Sequence, residues 1–179
     1  MNQLPPVPSD NLLYEAWAAF RRCLRKEHYA RLIGRAGRFE YWSVTIIGTF
    51  VSLLPGILLF ILPNLLSLIG LFVWFGVIAY FAMPLLAVYV RRLHDVGWSA
   101  WWIAAHYALI SVLFAVFVFH VTQAVFFTSD MVELFSHVVP RLLPWLEYTA
   151  IPLNVLSTLL FILTLLPGKT TPNRYGNPV

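Results

Sequence analysis

Three clusters of arginine, carboxylate and glycine punctuate an otherwise apolar chain. Gly34-Arg35-Ala36-Gly37-Arg38-Phe39-Glu40 stands before a run of fifty residues, 41–90, that contains no Asp, Glu, Lys or Arg. Arg91-Arg92-Leu93-His94-Asp95-Val96-Gly97-Trp98-Ser99 follows that run, and Pro167-Gly168 with Asn173-Arg174-Tyr175-Gly176 comes last. Arg35, Arg38, Arg91, Arg92 and Arg174, set against Glu40 and Asp95, suit two kinds of chemistry. One is a structural lock in which the carboxylates hold guanidinium groups from distant segments. The other follows from the excess of five arginines over two carboxylates: capture of an anionic lipid headgroup or small anionic ligand through bidentate contacts. His94 is the one member titrating near neutral pH, and Asn173 falls in the same set.

Two further histidines, His106 and His120, lie in an apolar stretch, and their separation of fourteen residues puts both on one helical face. An interfacial or packed histidine is the plain reading, and an intramembrane proton relay the sharper one. Haem ligation would need axial partners from other helices, and the other apolar segments contain no His. No metal-binding His-Glu-x-x-His helix, cysteine cluster, Gly-x-Ser-x-Gly elbow or phosphate loop occurs. The expectation is therefore a non-enzymatic protein with no catalytic residue, metal or cofactor. His94 with Asp95 is the one candidate pair for an enzyme acting on lipid, and it lacks a nucleophile.

The elements that must position these groups follow from the charge content, 11% against roughly 25% in an ordinary soluble domain. A bilayer core about 30 Å thick takes about 20 helical residues. Four transmembrane helices are expected, at about 42–62, 66–90, 100–127 and 146–166, with a cytoplasmic leader and amphipathic helix over 1–41 and a tail over 167–179. Leu13, Trp17, Phe20 and Leu24 form the stripe of that first helix, with Glu15, Arg22 and Lys26 opposite, so it lies either on an anionic leaflet or on protein. Gly48, Ser52 and Gly56 line up on the first span, and Ala100, Ala104, Ala108, Ser111 and Ala115 on the third, as small residues do where helices approach closely. Asp130, Glu133, Arg141 and Glu147 read as a loop, with a short surface helix from Met131 to Val139 ended by Pro140. Eleven of the twelve Lys/Arg then fall on one side, which puts both termini and the 91–95 loop in the cytoplasm. The same bias accounts for the net charge of +4, so nucleic acid is not an expected partner.

The three charged motifs, in this order and spanning roughly 33–178, resemble the bacterial inner-membrane family called domain of unknown function 805. The resemblance implies a small multispan inner-membrane protein and no established activity. From the residues themselves, the expected role is interaction with membrane lipids, anionic ones included, with a protein partner or with a second copy of the chain, through the basic cytoplasmic rim. A small oligomeric channel or transporter is the alternative.

Overall fold

The computed structural model describes residues 11–58, 64–127 and 139–178. Within them the chain is all-helical: α1 Leu12–Cys23, α2 Arg38–Leu58, α3 Asn64–Val96, α4 Trp101–Phe127 and α5 Val139–Leu165. Among the described residues the only β-pairing is an isolated bridge, Asn173 with Gly176. Two of the helices, α3 and α4, are long and apolar enough to cross a bilayer. Their large side chains are largely exposed, Phe72, Val73 and Phe75 on α3 and Val112, Phe114 and Phe119 on α4 among them. An apolar surface of that extent is costly in water and neutral in lipid, as expected of a membrane protein.

The chain divides into two compact units, one formed by Met1–Ser99 with Leu166–Val179 and the other by Ala100–Leu165. In the first, α2 and α3 pack as a hairpin. The small stripe of α2 is what lets them approach: a Cβ on Gly48 would lie 2.9 Å from Leu85 Cδ2, and one on Gly56 2.7 Å from the Trp74 ring. Trp74 Nε1 donates to the Ser52 carbonyl at 2.9 Å, so the third member of the stripe faces the same helix. In the second unit α4 meets α5 through His106, whose Nε2 lies 2.8 Å from Ser157 Oγ. Ala104, Ala108, Ser111 and Ala115 of α4 are exposed.

α1 is capped by Asn11, whose side-chain oxygen accepts from the Tyr14 amide at 3.4 Å. Its packing differs from the stripe read in the sequence. Ala19, Phe20 and Cys23 are buried, while Leu13 is 80% and Trp17 46% exposed. The packed direction is rotated by roughly 80° from the Leu13–Trp17–Phe20–Leu24 stripe at 3.6 residues per turn. The cause is fit: small Ala19 and Cys23 allow close approach, and Phe20 enters the space left by Gly48 and stacks on Phe81 at 5.9 Å. The helix thus has one apolar side on protein and another left open.

Two boundaries differ from expectation for stated reasons. The Arg91–Asp95 segment is the last turns of α3, not a loop, because its charges are paired and buried and give no reason to leave the helix. Pro140 is the second residue of α5, where a missing amide costs nothing, so it begins a helix that runs on through Arg141 and Glu147. Residues 131–138 of the expected surface helix, with Asp130, lie outside the described residues.

Inside α3, Pro84 has no amide to give the carbonyl of Tyr80. The hydroxyl of Tyr29, from the segment after α1, donates to that carbonyl instead. The Cys23 thiol donates weakly to the Pro84 carbonyl at 3.6 Å. A proline that frees backbone groups is thus matched by partners from the α1 region, which fixes that region on α3.

Candidate functional site

α3 has 33 residues, about 50 Å at 1.5 Å each, against a hydrocarbon core of about 30 Å. Its end, beyond the apolar run that stops at Val90, needs another environment. That environment is supplied by the 34–37 loop and the 166–176 tail of the same unit. Residues 90–95 are all buried.

Gly97 ends the helix. Its amide donates to the His94 carbonyl at 3.1 Å and the Trp98 amide to the Leu93 carbonyl at 2.8 Å, the paired bonds of a Schellman cap. The cap requires a left-handed residue, and Gly97 has φ +92°. From there the chain geometry leaves Asp95 facing inward with three neighbouring segments around it.

Asp95 is held by two arginines. Arg35 Nε and Nη2 each lie 2.8 Å from its Oδ1, and Arg92 Nη1 lies 2.5 Å from its Oδ2. The exposures of the three side chains are 1% for Arg35, 0% for Arg92 and 5% for Asp95. Two cations and one anion leave a buried positive charge that needs further acceptors. Main-chain carbonyls provide them. Arg35 donates to the carbonyls of Asp95 at 3.3 Å, Thr171 at 3.1 Å, Gly176 at 3.5 Å and Lys169, and Arg92 donates to that of Leu166. The C-terminal carbonyls of α3 add a negative dipole end at this point. Burial pulls the Arg92 guanidinium down from its ordinary value, and Asp95 opposes that pull.

Arg91 takes the other carboxylate. Its Nη1 donates to Glu40 Oε1 at 2.8 Å, while its Nε and Nη2 are buried without an acceptor among the described residues. Arg38 and Arg174 have no carboxylate partner among the described residues, and both side chains are exposed. The guanidinium of Arg174 lies over the Tyr175 ring, 4.7 Å from its centroid.

His94 ties the tail to the loop. Its Nδ1 lies 3.2 Å from the Gly34 carbonyl, which can only accept, so Nδ1 carries the proton. The ring stacks on Tyr175, centroids 3.7 Å apart and planes within 5°. Burial pushes the His94 imidazole below its ordinary value; the Gly34 carbonyl counters this and Arg174 adds to it. Asn173 Nδ2 donates to the His94 carbonyl at 2.9 Å, and its Oδ1 accepts from the Tyr175 amide at 2.8 Å. The Asn-Arg-Tyr-Gly run is therefore a turn whose first residue grips the helix end and whose third covers the imidazole.

Of the nine rim residues singled out in the sequence, the structure brings Arg35, Arg92, His94, Asp95 and Asn173 into one network and pairs Arg91 with Glu40 beside it. Arg38 and Arg174 border it. Gly168 and Tyr175 stand in the third sequence motif but were not singled out as members. His106 belongs to the second unit. The Ser157 hydroxyl donates to the Leu153 carbonyl at 2.7 Å, so its oxygen accepts from Nε2 of His106. Nδ1 of His106 is then a buried bare acceptor without a partner among the described residues. His120 lies on α4, with its side chain outside the described residues.

The arrangement neutralises and fastens; it brings no nucleophile and base within reach of each other. Among the described residues no group of three His, Cys, Asp or Glu is placed to hold a metal ion. A family model described as Protein of unknown function (DUF805) matches residues 29–177. No curated protein and no solved structure matches the chain.

Proposed function

The chain belongs to the DUF805 family, and we propose that it is a four-span protein of the bacterial inner membrane, with both termini cytoplasmic, whose non-enzymatic role is to engage lipid through a basic rim. The arginines nearest the spans, Arg35, Arg91 and Arg92, are spent on Asp95, Glu40 and main-chain carbonyls. The exposed cations left for an anionic leaflet include Arg21, Arg22, Arg25 and Lys26 around the end of α1, with Arg31, Arg38, Lys169 and Arg174. The observation that carries the reading is the second apolar side of α1. Leu12, Leu13 and Trp17 are exposed on a helix already fixed to α2 by its other side, with cations clustered around its C-terminal end. A helix with an open apolar flank, basic neighbours and a tether to spanning helices suits the headgroup boundary of an anionic leaflet.

A nitroxide at Leu13→Cys in a Cys23→Ala background, with the protein in nanodiscs containing anionic phospholipid, tests this. The expected accessibility is high to oxygen and low to a water-soluble nickel chelate, as at the acyl boundary. A fully water-exposed signal overturns the reading. The topology has its own check, since a reporter fused at Ser136 is expected to show alkaline phosphatase activity, and cytoplasmic activity there overturns the four-span arrangement.

A second reading, a small oligomeric channel or transporter, is favoured by the unmatched Nδ1 of His106 on a helix long enough to span. Ion flux from proteoliposomes that disappears in His106→Leu supports it; absence of flux removes it.

A further inference from the structure

Beside the ion-pair network, the first unit holds a groove of about 690 Å³ between α1 and the start of α2. Glu15 and Arg22 come to it from α1, Arg38 and Glu40 from the first turn of α2, and Ala18 and Ala19 line it as well. Its free charge is settled by what the surroundings have already consumed. Glu40 is paired with Arg91 at 2.8 Å, whereas Arg22 and Arg38 are cations with no ion-pair partner among the described residues. Two arginines from separate elements therefore line one concave space without a carboxylate partner among the described residues. Planar guanidinium pairs match phosphate oxygens bidentately. The space is an order of size that takes a small organic molecule rather than a bare ion.

We infer that this groove binds a phosphate ester, with Arg22 and Arg38 on the phosphate oxygens. Glu15 defines the rest of the ligand. It lies two helical turns before Arg22 on the same side of α1, about 10 Å along the axis. A carboxylate there repels a second oxyanion and accepts from a hydroxyl or ammonium group. The ligand class is thus the phosphate ester of a polyol or amino alcohol. Glycerol phosphate in solution and the headgroup of a phosphatidylglycerol share that chemistry. The groove sits on the opposite flank of α1 from Leu13 and Trp17, and Arg38 lies four residues, about 6 Å, before Trp42. This inference does not depend on the open flank of α1 resting on lipid.

Two arms separate the sources. In the first, the full-length protein in nanodiscs of phosphatidylcholine alone is titrated with sn-glycerol 3-phosphate and with inorganic phosphate by calorimetry. In the second, native mass spectrometry measures retention of phosphatidylglycerol against phosphatidylcholine. The wild type is expected to bind in at least one arm, with glycerol phosphate favoured over inorganic phosphate in the first. Arg22→Gln and Arg38→Gln each lower that binding by about ten- to a hundredfold, the scale of a hydrogen bond to a charged group. Arg21→Gln, on another side of α1, leaves it unchanged. Ala18→Phe, which fills the groove without altering charge, lowers it as well and guards against a purely electrostatic effect. Binding in neither arm, or equal binding in wild type, R22Q and R38Q, overturns the inference. The nitroxide depth at position 13 reads the leaflet proposal separately, so either can fail alone.

Discussion

Gly168 lies so close to Asp95 that a Cβ on it would collide with Asp95 Oδ2. The tail reaches the carboxylate only because that residue has no side chain. Gly168→Ala must push either the tail or the carboxylate away, and the carboxylate is the anion of a buried Arg–Asp–Arg set. The expected cost is roughly 3 kcal/mol, the scale of breaking a buried ion pair. Thermal unfolding in mild detergent checks it, with Gly76→Ala as a control, since a Cβ there meets nothing within 4 Å.

Asp95 and Glu40 are both paired carboxylates, yet they should behave differently on removal. Asp95→Ala leaves the guanidinium groups of Arg35 and Arg92 buried without their anion, at a cost of roughly 3–5 kcal/mol. Glu40 has a side chain 26% exposed, so water replaces much of its interaction with Arg91. Glu40→Ala is expected to lower the unfolding temperature far less than Asp95→Ala, and Arg35→Met combined with Asp95→Leu to recover only part of the loss, because Arg92 stays buried without its anion. Equal effects at the two carboxylates would remove the distinction drawn from burial.

Tyr29 and Pro84 form a compensating pair. The proline deprives the Tyr80 carbonyl of its helical donor and the Tyr29 hydroxyl takes the place. Tyr29→Phe is expected to cost about 1 kcal/mol in the wild-type background. In Pro84→Ala the carbonyl regains an amide, so the same substitution should cost markedly less. A double-mutant cycle on thermal stability measures the difference directly, and additivity would show that the two are not linked.

The limits of the sequence lie in particular residues. Apolar run lengths made the helical segments plain, and the Gly48–Ser52–Gly56 stripe announced its own contact. The end of α3 was hidden because Arg91, Arg92 and Asp95 look like residues of a solvated loop. Only their tertiary partners, Arg35 and the 166–176 carbonyls, make a helical, buried position tolerable. For α1, hydrophobic spacing named the helix but did not show which of its residues pack on protein. Packing followed the smallness of Ala19 and Cys23 on either side of Phe20, which itself sits against Gly48, and a pattern of large apolar residues does not contain that. Arg-rich composition likewise exaggerated the free charge of the rim, because carbonyl acceptors have no signature in sequence.

His94 makes the clamp between helix end and tail sensitive to acid. Its imidazole is neutral when it donates Nδ1–H to Gly34 and stacks on Tyr175, and burial holds its proton affinity below the ordinary value of about 6.5. In the released state the ring protonates near that ordinary value. As pH falls below about 6.5, the open form therefore binds more protons than the closed one, and the clamp loses stability until the lowered value is passed. Arg174, Arg92 and Asp95, the last held by two arginines, face the same region. The amides of 169–176 are accordingly expected to exchange hydrogen faster at pH 5.5 than at pH 7.5 after correction for intrinsic rates. Tyr175→Leu should speed exchange at both pH values by removing the stack. His94→Gln, which keeps a side-chain donor for the Gly34 carbonyl but does not titrate, should abolish the dependence on pH. Persistence of that dependence in His94→Gln would assign the switch to another group.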